Sequence, residues 1–460
     1  MLFTKQPASG LDRVKQKLKE WVISAKLERR YTKDEILLMY LNRYDWVNNA
    51  VGIESASRVY FNKSPKNLNI QESAMLVGML KNSALYNPNR RLKLTQRRRN
   101  TVLFQMNKYE FISDTLYDSL VQLPVVLDFK KASHNSGLAP YFREYLRGKI
   151  KKWCSTKMKS DGSSYNLYTD GLKIYTTIDS RLQKFAEEAV ETHISDLQKV
   201  FYNHWQGYTN APFPEDFEPE KIDEIIDMAM RRSVRYKRLK SQGKTIEQIR
   251  KVFDTKAEMK LFSWNGKIDT ILSPRDSLVY SKYFLHSGLM SMQPKTGHVK
   301  AYVGGINYEN FQYDHVTSGK RQVGSTFKPF LYSLAIQEGY DPCFQVPNVP
   351  VVFDKYKWRL EKDWTPKNSG SEDLEGLTLS LKYGLANSIN TVTAYIMKQF
   401  GPHAVVDLAK KIGVKSKILA VPSLCLGTFD LSIYEMVGAY STFSNKGVWV
   451  EPIFVTRIED

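Results

Sequence analysis

The chain has 460 residues, and its 42% hydrophobic and 12% aromatic content is that of an ordinary globular protein with room for several domains. Its formal net charge of +19 predicts an anionic partner: nucleic acid, a membrane surface or a phosphorylated substrate. No recognised nucleic-acid-binding motif accompanies the charge, and the three cysteines have neither metal-ligand spacing nor a disulfide framework. No run of about 18 apolar residues is present, which argues against a membrane span in these residues.

The first 110 residues predict a lobe that is nearly all helical. An amphipathic helix is predicted over about 11–30, and a capping box from Thr32 to Glu35 begins a second helix. Further helices are predicted at 53–60, 70–80 and 96–109, with a break at Tyr86-Asn-Pro88.

Motifs in this lobe resemble those of the peptidoglycan glycosyltransferase family, whose members elongate glycan strands from lipid II. They are Lys17-Leu-Lys-Glu20, Ala25-Lys-Leu-Glu28, Met39-Tyr-Leu-Asn42, Gly52–Ala56, Val59–Lys63 and Tyr86-Asn-Pro88. The resemblance covers the second half of that all-α, lysozyme-like domain. It implies that Glu20 supports the sugar donor and acceptor, that Lys17 faces the pyrophosphate, and that Glu28 and Asn42 belong to the substrate site. The alternative for Glu20 is a solvated carboxylate on a helix face.

Two departures from that family shape our expectations. The family's principal catalytic glutamate belongs to a motif that would precede Met1, and Gln16 stands where an arginine is usual. We therefore expect no glycosyltransfer from this chain alone; for the family reaction, the resemblance leaves room for a divalent metal. It also implies an N-terminal membrane anchor before residue 1, with the domains outside the cytoplasmic membrane, facing the periplasm.

The middle of the chain is predicted to connect domains and contains no candidate catalytic residues. Residues 111–196 are predicted to be an interdomain linker region that holds a basic helix at 143–153, a strand at 171–179 and a helix at 180–193. Residues 197–280 are predicted to be a helical, basic insertion whose function the sequence does not reveal. From 281 to 460 short strands return, beginning with a hairpin whose turn is Pro294–Gly297.

A Ser-x-x-Lys pair, Ser325 and Lys328, lies in the stretch Arg321–Phe330, after a glycine and before an apolar helical run. This pattern predicts Ser325 in the first turn of a helix and Lys328 one turn on, on the same face. Serine needs an adjacent base to act as a nucleophile. A partly buried lysine beside a helix N-terminus favours its neutral, proton-accepting form. Ser241 and Lys244 have the same spacing, but their charged surroundings predict a solvated face.

The candidate partner of that pair is Ser388-Ile-Asn390, between helical runs predicted at 377–386 and 391–400. The same Ser-x-Asn letters occur at 133–135, 164–166 and 263–265, so the setting singles out Ser388. Its hydroxyl could relay a proton between Lys328 and a leaving amine, while Asn390 holds Lys328 and a substrate amide. The backbone N–H of Ser325 would contribute to an oxyanion hole.

With these motifs the chain is similar, over nearly its whole length, to the bifunctional class A penicillin-binding proteins of the 1A type. Segments 292–305 and 435–447 also carry the resemblance. It implies a multidomain α and α/β fold: the all-α lobe, then an α/β penicillin-binding transpeptidase domain over 281–460, with a helix-flanked antiparallel sheet and its C-terminal part missing. Lys295-Thr-Gly297 has the letters of the third penicillin-binding motif, but it precedes the serine and predicts a plain turn.

The family reaction assigns the roles. Ser325 is the nucleophile that attacks a D-Ala-D-Ala stem peptide, Lys328 is its base, and Ser388 and Asn390 assist, without a cofactor. The implied partners are lipid II, glycan strands, stem peptides, β-lactams and cytoplasmic membrane lipids, with no nucleic acid. Because 455–460 resembles the segment before the family's Lys-Thr-Gly strand, we expect slow acylation by penicillin or none.

Three alternatives remain open from the sequence. One is a catalytically dead protein with the penicillin-binding fold that acts as a cell-wall binding or regulatory module. A second is a β-lactamase, disfavoured by the glycosyltransferase-like lobe and the lack of a deacylating carboxylate motif. A third is a basic nucleic-acid binder, which would show tight, salt-dependent binding.

Overall fold

The computed structural model describes residues 10–48, 50–129, 137–369 and 374–459. The chain divides into two compact units, Met1–Ser136 and Gly137–Asp460. In the part described, no helix is both long enough and apolar enough to cross a bilayer.

The first unit is helical, as predicted. Its helices are α1 (Gly10–Glu28), α2 (Lys33–Arg43), α3 (Ile53–Phe61), α4 (Ile70–Met79), α5 (Leu92–Lys108) and α6 (Asp114–Gln122), with a 3-10 turn at Pro65–Asn67. The predicted capping box is present at the start of α2, where the Thr32 hydroxyl accepts from the Glu35 N–H. Trp46 is fully buried in the core and donates its indole N–H to the Leu76 carbonyl at 3.0 Å.

The second unit combines helices with two-stranded antiparallel ribbons, which confirms the predicted α/β class. Its helices are α7 (Pro140–Thr156), α8 (Ser180–His204), α9 (Pro219–Arg232), α10 (Val234–Ser241), α11 (Ile246–Asp254), α12 (Pro274–Lys282), α13 (Lys328–Gln337), α14 (Lys355–Trp358), α15 (Leu381–Ala386), α16 (Asn390–Lys411) and α17 (Ile433–Ser444). Its strands are β1 (Lys173–Thr176), β2 (Ala257–Leu261), β3 (Ile268–Leu272), β4 (Leu289–Met292), β5 (Val299–Val303), β6 (Lys320–Gln322), β7 (Gln345–Pro347), β8 (Thr378–Ser380), β9 (Asp430–Ser432) and β10 (Val455–Glu459).

The ribbons pair β1 with β10, β2 with β3, β4 with β5, β6 with β9 and β7 with β8. The chain before β10 joins two of them, because the Val299 N–H donates to the Ile453 carbonyl at 3.0 Å and the Ile453 N–H donates to the Gly297 carbonyl at 2.7 Å. Helix α17 packs against β4. The five ribbons are therefore antiparallel and flanked by helices, as predicted, whereas the bridge between His298 and Ile453 is parallel.

The structure gives the predicted linker region a different role from Gly137 onward. Tyr141 and Phe142 of α7 are buried in one cluster with Tyr302 of β5 and Phe454. On α8, the Gln183 side chain donates to the Tyr302 carbonyl at 2.9 Å and accepts from its N–H at 2.7 Å. Much of this stretch is therefore core of the second unit, because its apolar faces cover the sheet.

Two other predicted elements differ from the structure. The stretch 197–280 is not helical throughout, since β2 and β3 form a hairpin between α11 and α12. The helical run predicted at 377–386 contains the strand β8, and its helix begins only at Leu381. The Ser380 hydroxyl accepts from the Tyr383 N–H and begins that helix, so a cap follows the strand directly.

Candidate active site

Ser325 lies in a 3-10 turn, Gly324–Phe327, that leads directly into α13. Gly324 has a φ of +56° and donates its N–H to the Gly427 carbonyl at 3.0 Å. Gly427, with a φ of +67°, approaches Gly324 so closely that a Cβ there would collide with the Gly324 carbonyl. Phe327 is buried below the turn. Two glycines and one aromatic anchor thus hold an exposed serine on a well-packed backbone.

Lys328 is the buried cation of the site, with 1% of its surface exposed. Its Nζ donates to the Ser388 carbonyl at 2.7 Å, to the Ser388 hydroxyl at 3.0 Å and to Asn390 Oδ1 at 2.6 Å. Burial lowers the pKa of Lys328 to about 8, and no carboxylate among the described residues forms an ion pair with it. A neutral, proton-accepting form is therefore accessible near neutral pH.

The structure brings Lys328 together with Ser388 and Asn390, which lie 60 and 62 residues further along the sequence. Ser325 lies on the turn immediately before Lys328, but no hydrogen bond between described residues includes its hydroxyl. The sequence predicted both residues on one helix; instead, α13 begins at Lys328 and Ser325 is on the preceding 3-10 turn.

Ser388 occupies a backbone position that glycine usually fills. It follows α15 with a φ of +54°, its N–H donates to the Leu385 carbonyl at 3.1 Å, and the next N–H, of Ile389, donates to the Gly384 carbonyl at 2.8 Å. That pair of bonds is a Schellman motif with serine at its left-handed position. A left-handed non-glycine residue costs about 1 kcal/mol or more. The hydroxyl that reaches Lys328 explains why a serine stands there.

Asn390 is the first residue of α16, and a residue that sequence reasoning missed holds it. Asn368 Oδ1 accepts from the Asn390 N–H at 2.8 Å and from the Thr391 N–H at 3.2 Å, while the Lys367 carbonyl accepts from Asn390 Nδ2 at 2.7 Å. In the sequence Asn368 is an ordinary loop residue two positions after Pro366, with no local signal that marks it.

A buried thiol, that of Cys425, also acts electrostatically on Lys328. Cys425, in the 3-10 turn Pro422–Leu426, is 1% exposed, and burial raises its pKa to about 12. A thiolate at this position would raise the pKa of Lys328, against the larger effect of burial. With its own pKa raised to about 12, the thiol is neutral and acts as an apolar neighbour.

A cavity of about 420 Å³ opens beside the Ser325 turn. Val323 and Thr326 line it from the turn, and α17 contributes Met436 and Tyr440. Arg321 lines it as well. Its lining is mostly apolar with one cation, and it includes neither Ser325 nor Lys328.

The competing motifs lie elsewhere. Lys295-Thr-Gly297 forms the turn between β4 and β5, with a φ of +74° at Gly297 and its N–H donating to the Gln293 carbonyl at 3.0 Å. Ser241 ends α10 and donates to the Arg238 carbonyl at 2.8 Å. Ser263 donates to the Gly266 carbonyl at 2.6 Å within a turn. The match at 133–135 lies outside the described residues.

In the first unit, the structure pairs two of the predicted substrate residues. Lys17 Nζ donates to Glu20 Oε2 at 2.7 Å, and that hydrogen bond lowers the pKa of Glu20. Glu28, the last residue of α1, and Asn42, near the end of α2, are both exposed. No hydrogen bond among the described residues joins either side chain to the Lys17–Glu20 pair.

Three models of known protein families match this chain. Family models match the chain as a transglycosylase over residues 2–107, a penicillin-binding protein middle domain over 208–285 and a penicillin-binding protein transpeptidase domain over 288–460. The chain belongs to the class A penicillin-binding proteins. The stretch predicted to be an insertion, 197–280, thus largely coincides with a domain of this family.

Relatives among the class A penicillin-binding proteins extend the match. Penicillin-binding protein 1A of Aquifex aeolicus is 29% identical, over 97% of this chain and 59% of the relative. That of Pseudomonas aeruginosa is also 29% identical, over 96% of this chain and 55% of the relative. The crystal structure of penicillin-binding protein 1A from Haemophilus influenzae superposes with a TM-score of 0.57 at 25% identity, covering 94% of this chain and 64% of that one. The chain therefore spans between half and two thirds of the length of these relatives.

Proposed function

We propose that this protein acts in peptidoglycan synthesis and that its second unit is a serine transpeptidase working through an acyl-enzyme on Ser325. The observation that carries the proposal is the buried Lys328, which hydrogen bonds to Ser388 and Asn390 and lies directly after the turn that presents Ser325. A buried lysine with a lowered pKa next to an exposed serine is the arrangement that nucleophilic catalysis by a hydroxyl requires.

The hydrogen-bond pattern around Lys328 limits how its proton can move. Lys328 Nζ donates to three acceptors, which is the pattern of the charged ammonium with its three N–H groups. The Ser388 carbonyl and Asn390 Oδ1 can only accept, so a neutral Lys328 keeps its two N–H groups on them. Its lone pair is then free to accept from a hydroxyl, either Ser388 or Ser325. Ser388 is thus the partner that can both accept from and donate to the lysine.

The reaction follows from these positions. Lys328 takes the proton of the Ser325 hydroxyl as its oxygen bonds to the carbonyl carbon of the penultimate D-Ala, and the backbone N–H of Ser325 stabilises the oxyanion. Collapse breaks the C–N bond, and the departing D-Ala amine receives the proton from Lys328 through the Ser388 hydroxyl. The amine of a neighbouring stem peptide then attacks the ester carbon, and the proton it loses is carried by Lys328 to the Ser325 oxygen as the C–Oγ bond breaks. Ser325 attacks the carbonyl carbon of a β-lactam in the same way.

Labelling with a fluorescent penicillin, read by peptide mass spectrometry, tests this proposal. We expect the adduct on Ser325, formed slowly, and its loss in Ser325→Ala. The matched control is Ser241→Ala, which removes the other Ser-x-x-Lys serine and should label as the unmodified chain does. An adduct on another residue, or a folded chain that is never labelled, would overturn the proposal; the second result would favour a cell-wall binding module that keeps the fold.

For the first unit we propose the substrates of the glycosyltransferase family, lipid II and glycan strands. The Lys17 side chain is 65% exposed next to Glu20, so a cation is available to a pyrophosphate. Lipid II binding to the chain should weaken in Lys17→Ala and stay unchanged in Lys26→Ala, an exposed lysine on the same helix. Equal affinities for the two variants would contradict the assignment. The described residues contain no group of three or more His, Cys, Asp or Glu side chains that could hold a metal, and we derive no step through one.

We also propose that the middle domain contacts anionic lipid headgroups at the outer face of the cytoplasmic membrane. The segment from Arg231 to Lys244 carries seven basic side chains and no acidic one, and none of them forms an ion pair among the described residues. Val234 in the same segment is 83% exposed. Sedimentation with anionic vesicles should be lost when Arg231, Arg232 and Lys237 become Glu, and binding to neutral vesicles should be weak throughout. Unchanged binding of the charge-reversed chain would refute this.

A further inference from the structure

The amide of Asn390 can face Lys328 in only one way. Its Nδ2 donates to the Lys367 carbonyl at 2.7 Å, so its Oδ1 is the atom left to accept from Lys328 Nζ, at 2.6 Å. A flipped amide would place a donor against the ammonium and an acceptor against a carbonyl, and both contacts would be repulsive. The loop that contains Lys367 therefore fixes the orientation of the group that holds the lysine.

The next residue of that loop, Asn368, replaces a helix cap that the local sequence lacks. Ile389 occupies the position before α16 and has no side-chain acceptor. Asn368, 22 residues earlier, accepts from the Asn390 N–H at 2.8 Å and the Thr391 N–H at 3.2 Å through one oxygen. Those are two of the N–H groups that a helix leaves without an internal partner. The start of α16, and with it Asn390, is thus held from outside the helix.

The other end of the Asn368 amide is fixed as well. Its Nδ2 donates to Asn348 Oδ1 at 3.2 Å and to the Thr391 hydroxyl at 3.4 Å. Asn348 is 2% exposed and Thr391 6%, and the Thr391 hydroxyl donates to Asn348 Oδ1. Asn348 Nδ2 in turn donates to the Leu374 carbonyl at 2.6 Å. Both ends of the Asn368 side chain are therefore engaged, so its orientation is determined by a buried polar network.

We propose that Asn368 is a positioning residue for the transpeptidase site: it holds Asn390 from outside the site and so places and tunes Lys328. The effect on acylation rests on the function proposed above, whereas the effect on Lys328 does not. The groups that contact Lys328 are the Ser388 and Asn390 acceptors, and the thiol of Cys425 acts on it electrostatically. Asn368 acts on one of these three and contacts neither Ser325 nor Lys328 within the described hydrogen bonds.

Two substitutions at Asn368 should move the pKa of Lys328 in opposite directions. Asn368→Ala releases Asn390, weakens the acceptor that favours the charged lysine, and lowers its pKa. Asn368→Asp keeps an oxygen for both N–H groups. It also adds a negative charge next to Asn390, the acceptor of Lys328, and that charge raises the pKa of Lys328. We expect shifts of about half a pH unit or more in each direction.

The readout is the ¹³Cε resonance of Lys328, followed against pH in the full chain and assigned by its loss in Lys328→Arg. It needs no substrate. The pH dependence of penicillin acylation is measured in parallel on the same variants. The matched control is Thr245→Ala, which removes the cap of α11 in the same unit without touching this network. It should lower stability and leave the Lys328 titration unchanged.

Each outcome decides between the claims. Opposite shifts in the two variants support the positioning role, even if Ser325 never labels, in which case the proposed transpeptidase activity fails alone. Labelling of Ser325 with identical Lys328 titrations in all variants overturns the positioning role and leaves the activity standing. If Asn368→Ala lowers stability but leaves the Lys328 titration unchanged, Asn368 acts only as a helix cap, and the positioning role is overturned.

Discussion

Two substitutions of Ser388, by glycine and by alanine, distinguish the strain of its left-handed backbone from the contribution of its hydroxyl to acylation. Both variants lose the hydroxyl that accepts from Lys328 at 3.0 Å, so that loss affects them equally. They differ because glycine adopts the observed φ of +54° without strain, whereas alanine keeps a Cβ there. The glycine variant should be more stable than the alanine variant by about 1 kcal/mol.

Urea unfolding and calorimetry measure the first part of this prediction. In a unit of this size, about 1 kcal/mol corresponds to a difference of about 1 to 2 °C in the unfolding midpoint. Penicillin acylation measures the second part, and both variants should be slower by about 100-fold, the usual worth of a positioned proton relay. The two variants should therefore lose acylation activity equally but differ in their free energy of unfolding.

An exposed site inside α16 supplies the control for the backbone argument. At Lys398 the order should reverse, with alanine more stable than glycine by about 1 kcal/mol, because the backbone there is helical. Equal stabilities of the two Ser388 variants would refute the strain argument. Acylation of Ser388→Gly at the rate of the unmodified chain would refute the relay.

Three further outcomes are expected. Because burial lowers the pKa of Lys328 to about 8 and the neutral form is the base, the acylation rate should rise about tenfold per pH unit well below pH 8 and level off above it; a flat profile in stopped-flow labelling would contradict this. Gly427→Ala should lower the free energy of unfolding by about 2 to 4 kcal/mol and disturb acylation, since the new Cβ meets the Gly324 carbonyl; an unchanged urea midpoint would exclude that collision. Arg99→Met should destabilise the first unit by about 2 to 3 kcal/mol in urea, because Arg99 is 1% exposed and donates to the Leu123 carbonyl at 2.8 Å, whereas the exposed Arg97→Met should have little effect.

Local patterns in the sequence were enough for several parts of this protein. The capping box at Thr32 and the apolar period of the first lobe predicted its helices, because both signals act within a turn or two of the chain. The Ser325–Lys328 spacing and the Ser388–Asn390 pattern were recognisable for the same reason, and their contexts distinguished them from Ser241 and the turn at Lys295. The family followed from those motifs.

The tertiary structure alone decided how these parts act on one another. The cap that Asn368 gives to α16, the left-handed backbone of Ser388 and the thiol of Cys425 near Lys328 join groups that are distant in sequence or depend on local geometry. The burial of α7 against β5 likewise turned a predicted linker into core. Hydrogen bonds and packing between distant segments leave no periodic trace along a chain, so the residues that set the pKa and the placement of Lys328 became visible only when the chain was folded.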